Sequence, residues 1–440
     1  MVTTDGRGRK GGVERPDGVQ VVFDDERSVA NAGLVLPATL AGRLGLESLV
    51  DEAVDLGQRA GAARPGRKVM SLVHAILAGA DCIDDADLLR AGSAEAVLGH
   101  RVMAPSTLGT FLRAFTFGHV RQLDRVSEIA LARAWAAGAG PGAGPLVIDL
   151  DSTICEVHGY AKQGAGVAYT RVRGYHPLLA TRADTGEVLH LRMRKGPANT
   201  MRGAERFVRE LAGRVRRAGA RGPLVIRADS GFWAGRVIGA CRHHGIRFSI
   251  GVRSGDARIA AAIAGVPEDD WQPIDYTAAG LAEVAETSYR GMRLVVRRTR
   301  IVGAQAQLFA DWRHHAFVTD RPGSATQLDA DHRAHAVVEL AIRDLKAEGL
   351  THCPSGHFGA NGAWALIAAL AHNLVRWVAA LGLGIGGPVV AKTIRVRYLA
   401  LAGRLVRSGR RTRLRLPARW PWAAQFTSAL ARLRSVTLTT

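Results

Sequence analysis

Over residues 36–137 apolar side chains recur three and four positions apart, with breaks at Arg64-Pro65-Gly66 and at Ala104-Pro105. That period is helical and predicts an all-α unit over residues 36–140. Ser106 and Thr107 follow a proline and precede Leu108, Phe111, Leu112 and Phe115, so a capped amphipathic helix is expected to begin there. It reads either as the second element of a helix-turn-helix or as an ordinary bundle helix. The pattern then changes. Residues 138–144 read GAGPGAG, a linker by composition, and strand-like runs follow at 145–151, 178–182, 188–193, 223–229 and 248–252, with a helix over 201–218. Strands first, then helices crossing between later strands, indicate an α/β unit with a mixed sheet over residues 145–385. Short strands at 292–301, 307–312 and 315–319 mark a β-rich insertion over about 252–320, after which a long helix opens beyond Asp329. The longest apolar run, 364–383, holds His372, Asn373 and Arg376 in its middle. Those groups would be costly in lipid, so the run reads as a buried helix and no membrane partner is expected.

Charge narrows the class of partner. The 440 residues include 59 Lys+Arg against 39 Asp+Glu, a formal net charge of +20, and the pI is near 10.9. Such a balance suits a protein that neutralises phosphates. Residues 1–35 form a basic, Gly-rich arm expected to be disordered, without the apolar centre of a secretory signal. Residues 386–440 are again basic, and the alternation Arg413-Leu414-Arg415-Leu416 would set guanidinium groups on one face of a short strand. The four cysteines are scattered, with no CxxC pair and no zinc-finger register, which fits a reduced cytoplasmic chain.

Three places carry candidate chemistry. In residues 145–151, Leu146, Ile148 and Leu150 share one strand face while Val147, Asp149 and Asp151 share the other, so two acids reach the strand's end before Ser152 and Thr153. The run 223–229 repeats the design: Val225, Arg227 and Asp229 alternate with Leu224, Ile226 and Ala228, and Asp229-Ser230-Gly231 ends it. Strand ends of this kind are where α/β sites are assembled. On the helix expected over 331–348, His332, His335, Glu339, Arg343 and Lys346 gather on one polar face opposite Ala334, Val338, Ala341, Ile342 and Leu345.

The blocks IDLDST at 148–153, RADSGFW at 227–233 and the segment 332–377 that begins HRAHAVVEL together resemble the insertion-sequence transposases of DDE domain group 1, the elements of insertion-sequence family thirteen-eighty. The segments LVHAILAGAD, APSTLGTFLRAFT and RLRLPARWPW extend the resemblance over nearly the whole chain. It implies an RNase H-like catalytic domain after a helical DNA-binding domain. It identifies Asp151, Asp229 and Glu339 as the catalytic, metal-holding carboxylates and leaves Asp149 as a supporting acid behind them. Hard oxygen ligands imply Mg2+ or Mn2+, with two ions about 3.5–4 Å apart. The related signature Tyr-x2-Arg-x3-Glu-x6-Lys is met by Glu339 and Lys346, while His332 and His335 stand at the Tyr and Arg positions. Lys346, Arg343, His332 and His335 are therefore the expected phosphate contacts. Trp312, preferred over Trp271, is the candidate for stacking on a flipped base near the cut. The implied partners are double-stranded DNA, as terminal inverted repeats and target, and a second copy of the chain on that DNA. The implied location is cytoplasmic and nucleoid-associated. A transposase-derived protein that binds DNA without cutting it is the alternative.

Overall fold

The computed structural model describes residues 19–167, 171–253, 255–276, 280–301 and 312–438. The first part is helical. Helices Val35–Arg43, Leu46–Ala53, Pro65–Ala78, Pro105–Arg113 and Phe117–Ala134 bury their apolar faces against one another. The fourth begins one residue earlier than its hydroxyls suggest. Pro105 occupies the first helical position, where its fixed φ and missing N–H carry no penalty, so Ser106 and Thr107 lie inside the first turn and do not cap it. Leu108, Phe111 and Leu112 are buried, and the helix packs on Pro65–Ala78 and on a later helix, Phe358–Trp377.

Nine strands form the central sheet: β1 (Leu146–Ser152), β2 (Leu178–Arg182), β3 (Val188–Arg192), β4 (Leu224–Ala228), β5 (Ile246–Gly251), β6 (Gln272–Pro273), β7 (Gly280–Tyr289), β8 (Met292–Ile301) and β9 (Arg313–Thr319). Their spatial order is β6-β7-β8-β9-β5-β4-β1-β2-β3. Strands β1, β2 and β3 pair antiparallel, whereas β4 lies parallel to β1 and β5 parallel to β4. The order β3-β2-β1-β4-β5 with that polarity is an RNase H-like core.

The β-rich segment expected over 252–320 continues this sheet instead of forming one of its own, because β9 pairs antiparallel with β5, Phe317 opposite Gly251. It also contains a helix, Ala257–Ala264, and the long strand β7, neither of which stood out in the sequence. Of the strand expected at 307–312, residues 307–311 lie outside the described residues, and Trp312 precedes β9 in no regular element. The helix expected beyond Asp329 opens earlier, at Ser324, whose side chain accepts from the Gln327 N–H while Gln327 reaches back. It runs Ala325–Arg333, tightens through Ala334–Ala336 and resumes as Val337–Leu345.

The apolar run lies in a helix at the centre of the molecule. The continuous helical stretch Phe358–Leu383 is long and apolar enough to cross a membrane by composition, yet most of it is buried in protein. Its polar groups meet protein partners. His372 lies 2.7 Å from Glu348 Oε2 and 3.0 Å from the Gly186 carbonyl. Asn373 accepts from the Val188 N–H at 2.7 Å and donates to the Val188 carbonyl at 2.8 Å. Arg376 donates to Asp344. A segment ahead of the first helix also meets one beyond the central sheet. Ser28–Val29 pairs with Gly403–Ser408, which pairs with Arg411–Arg415. The arm expected over residues 1–35 is therefore ordered from Ser28 onward, and residues 1–18 lie outside the described residues.

A buried ionic cluster locks the helical region to the sheet. Asp124 of the helix Phe117–Ala134 faces Arg214 of the helix Ala204–Ala218, Arg121 at 3.0 Å and His190 of β3 at 3.5 Å. Glu210 joins from Arg192, His190 and Arg206. Burial alone would raise the Asp124 carboxyl, but His190, Arg214 and Arg121 outweigh it and hold it well below the ordinary range. A depressed folded pKa stabilises fully above the unfolded value of about 3.9 and progressively less as pH falls toward the folded one. Acid unfolding is thus expected to steepen below about pH 4. In Asp124→Asn that acid loss is expected to be smaller, and stability at pH 7, read by urea denaturation, to fall by roughly 3–5 kcal/mol, because Arg214 is left buried without its carboxylate.

Candidate functional site

Asp151 is the next-to-last residue of β1 and is half-buried; the Ser152 N–H donates to its Oδ1 at 2.6 Å. Asp229 follows the end of the neighbouring parallel strand β4. It is exposed, and it caps the turn Ser230–Phe232 by accepting the Gly231 N–H at 3.0 Å. The turn needs small neighbours. A Cβ on Gly231 would stand 3.0 Å from Asp229 Oδ1, and one on Gly251, at the end of β5, 3.0 Å from the Ser230 nitrogen. Glu339, also exposed, lies in the first turn of the helix Val337–Leu345, which packs on β1.

Asp151 senses both of the other acids. Burial and then the charge of Asp229, with a smaller push from Glu339, raise the Asp151 carboxyl to about 6 against the opposing pull of the Ser152 N–H and His335. Such crowding of negative charge is the environment a cation would relieve.

Asp149, two residues back on the same strand face, has a different fate. It is fully buried, and Arg227 on β4, its direct cross-strand neighbour, donates to both its oxygens at 2.7 and 2.8 Å. His335 adds an Nδ1–H donor at 2.9 Å. Arg227 also donates to the carbonyls of Asp331 and Ala334, at 2.5 and 3.3 Å, between the two halves of the Glu339 helix. One guanidinium therefore ties β1, β4 and that helix together. Asp149 is committed to holding Arg227 and His335, whereas Asp151 forms no ion pair among the described residues.

His332 stacks on Phe317 with ring centroids 4.2 Å apart, and burial, then the neighbouring His335 and Arg227, lower its pKa to about 3. It is a neutral ring at physiological pH. Both histidines expected to meet phosphate thus face protein groups, while Arg343 is exposed and Lys346 half-buried further along the helix. Behind Asp151, the buried His176 donates from Nδ1 to the Ala198 carbonyl at 2.6 Å, so its Nε2 accepts the Ser152 hydroxyl at 2.9 Å. Thr200 Oγ1 is 3.3 Å from that hydroxyl.

Two open recesses meet at Asp229. One, of about 620 Å3, is lined by Asp151, Ser152, Asn199, Thr200 and Arg253. The other, of about 630 Å3, is lined by Arg253, Arg297, His314, His315 and His332. Trp312 borders neither. It flanks a separate recess with Trp271 and Arg298, and the guanidiniums of Arg298 and Arg300 stand 4.4 and 4.9 Å from its ring centroid.

Among the described residues one group of three candidate ligand residues lies with its ligand atoms within 4.8 Å of one another: Asp81, Cys82 and Asp85, a partly exposed cluster after the helix Pro65–Ala78. Asp151, Asp229 and Glu339 are spaced more widely.

The sequence profile described as "Transposase DDE domain group 1" matches residues 13–438. The chain belongs to this family. Its fold, an all-helical region followed by a mixed sheet flanked by helices, is that of a DDE transposase domain. Among solved structures, this DDE chain is similar to a piggyBac transposase in a synaptic complex with hairpin DNA, at 12% identity and a TM-score of 0.47, over 84% of this chain and 80% of that one. No curated protein sequence matches it. Arg227, His176, Thr200 and Arg253 had been given no role from sequence. Arg227 was visible there as the middle member of the Val225, Arg227, Asp229 face; the others belong to the site only through the fold.

Proposed function

We propose that the chain binds the terminal inverted repeats of an insertion sequence and carries out metal-dependent DNA cleavage and strand transfer, with Asp151, Asp229 and Glu339 as its catalytic acids. The observation that carries this reading is the placing of Asp151 and Asp229 at the ends of adjacent strands β1 and β4, with Glu339 on the helix that packs on β1; burial, and then the charges of the other two acids, raise Asp151. The donor set is all carboxylate oxygen, partly open to solvent, and fits Mg2+ or Mn2+. Bound there, two ions would supply an activated attacking oxygen and stabilise the leaving one. The protein's own part is positioning. Arg227 and Asp149 fix the Glu339 helix against the strands, and His176 fixes Ser152 beside Asp151. Arg253, exposed between the two recesses, together with Arg343 and Lys346, offers donors to phosphates of a strand lying across the acids.

Purified protein incubated with a labelled duplex carrying the element's terminal repeats is expected to nick and join it with Mg2+ or Mn2+ and to do neither with a chelator. Binding without nicking in either metal would refute the reading and leave a DNA-binding protein. Nicking without joining would reduce it to a nuclease.

A further inference from the structure

The basic hairpin near the end of the chain has no part in the site just described. Its strands, Gly403–Ser408 and Arg411–Arg415, pair with Arg404 opposite Arg415, Val406 opposite Arg413 and Ser408 opposite Arg411. Opposed residues share a face. One face therefore holds Leu405 and Leu414, which with Leu416 pack on Val29, Ala32 and Ala94. The other holds Arg404, Arg411, Arg413 and Arg415, all exposed. Arg404 has an acid beside it, Asp25 at 3.5 Å. Among the described residues, Arg411, Arg413 and Arg415 form no ion pair.

Two arginines placed directly opposite repel, and three more positions of a five-residue edge strand would need only one charge to discourage strand-to-strand aggregation. Four guanidiniums of one sign on a face whose reverse is anchored in the protein instead make a rigid cationic plate. Along Arg411–Arg415 alternate residues recur about every 6.8 Å, a spacing from which long side chains reach successive phosphates of one strand. A face of four guanidiniums, with Val406 and Ser408 as its other members and, among the described residues, no acid paired to Arg411, Arg413 or Arg415, suits a phosphate backbone and offers little that reads a base. We propose that this hairpin is a second, sequence-independent DNA contact, gripping duplex backbone away from the carboxylates. The proposal rests on the reading of the chain as a DNA-binding transposase, but not on its cutting DNA.

The test is equilibrium binding in chelator, so that catalysis plays no part, to a terminal-repeat duplex and to an unrelated duplex, across a series of salt concentrations. Each lost phosphate contact lowers the slope of log affinity against log salt by about 0.9. For Arg411→Gln/Arg413→Gln/Arg415→Gln the slope is expected to fall by about 2–3, with affinity at low salt down roughly 100-fold for both duplexes alike. The corresponding triple lysine variant is expected to keep most of the slope, since point charges suffice at phosphates. The melting temperature of the glutamine variant is expected to stay at or above that of the parent, because the apolar face is untouched and repulsion is relieved. If the triple variant fails to fold, Arg413→Gln alone is expected to lose about 0.9 of slope. An unchanged slope, a loss confined to one sequence, or a lysine variant as poor as the glutamine one would overturn the proposal. Transfer of the effect to anionic vesicles, with DNA binding intact, would overturn it too. If the parent protein binds as described and never cleaves in metal, the cleavage reading falls and this one stands.

Discussion

Asp229→Asn is expected to abolish metal-dependent nicking, by at least about 1,000-fold, while leaving the protein folded and its DNA affinity equal or higher. The magnitude follows from what a carboxylate does at such a site. Losing several kcal/mol of metal-borne stabilisation of a developing oxyanion corresponds to about three powers of ten in rate. Stability is expected to hold because the side chain is exposed and its one structural duty, accepting the Gly231 N–H, passes to the asparagine oxygen. Affinity is expected to hold or rise because a negative charge leaves the neighbourhood of incoming phosphates. Single-turnover nicking, a binding isotherm and a thermal melt on the same preparation separate these effects. Retained nicking would remove Asp229 from the metal site. Lost binding with a lowered melt would make it a residue that shapes the turn.

Arg227 presents the opposite profile, with a large structural effect and loss of function behind it. Arg227→Met is expected to destabilise the fold by roughly 3–5 kcal/mol, because Asp149 is left fully buried and without its guanidinium. The informative comparison is the double variant Arg227→Met/Asp149→Leu. Replacing a buried ion pair by apolar groups is often neutral or stabilising, so much of the stability is expected to return in urea titrations. Cleavage is not expected to return, because the carbonyls of Asp331 and Ala334 have lost the donor that seats the Glu339 helix. A double variant that is stable and cleaves at the parental rate would show that the guanidinium holds the fold alone.

What could be read in the sequence is what period and local chemistry encode. The helical region, β2 and β8 with their bounds, and the alternation of β1 were legible because side chains on a regular element repeat at its own period. The burial of the apolar helix followed from the three polar residues in its middle. The continuity of the β-rich segment with the core was not legible, since it depends on β9 finding β5 some 60 residues away by backbone hydrogen bonds that leave no mark on composition. The separation of Asp149 from Asp151 shows the same limit. Alternation puts both on one face and makes them equivalent; only Arg227, brought alongside by the parallel pairing of β1 and β4, distinguishes the engaged acid from the open one. His332 and His335, read along the helix as outward-facing phosphate contacts, point to Phe317 and Asp149, which lie on other strands.

The pairing of Ser28–Val29 with the strand Gly403–Ser408 makes the described chain a nearly closed loop. A segment ahead of the first helix and a hairpin beyond the central sheet share one small sheet, so each is a structural partner of the other. Shortening the chain from the front past Ser28 would uncover the apolar side of the arginine hairpin, and shortening it from the back would release Val29 and Ala32 from their cover.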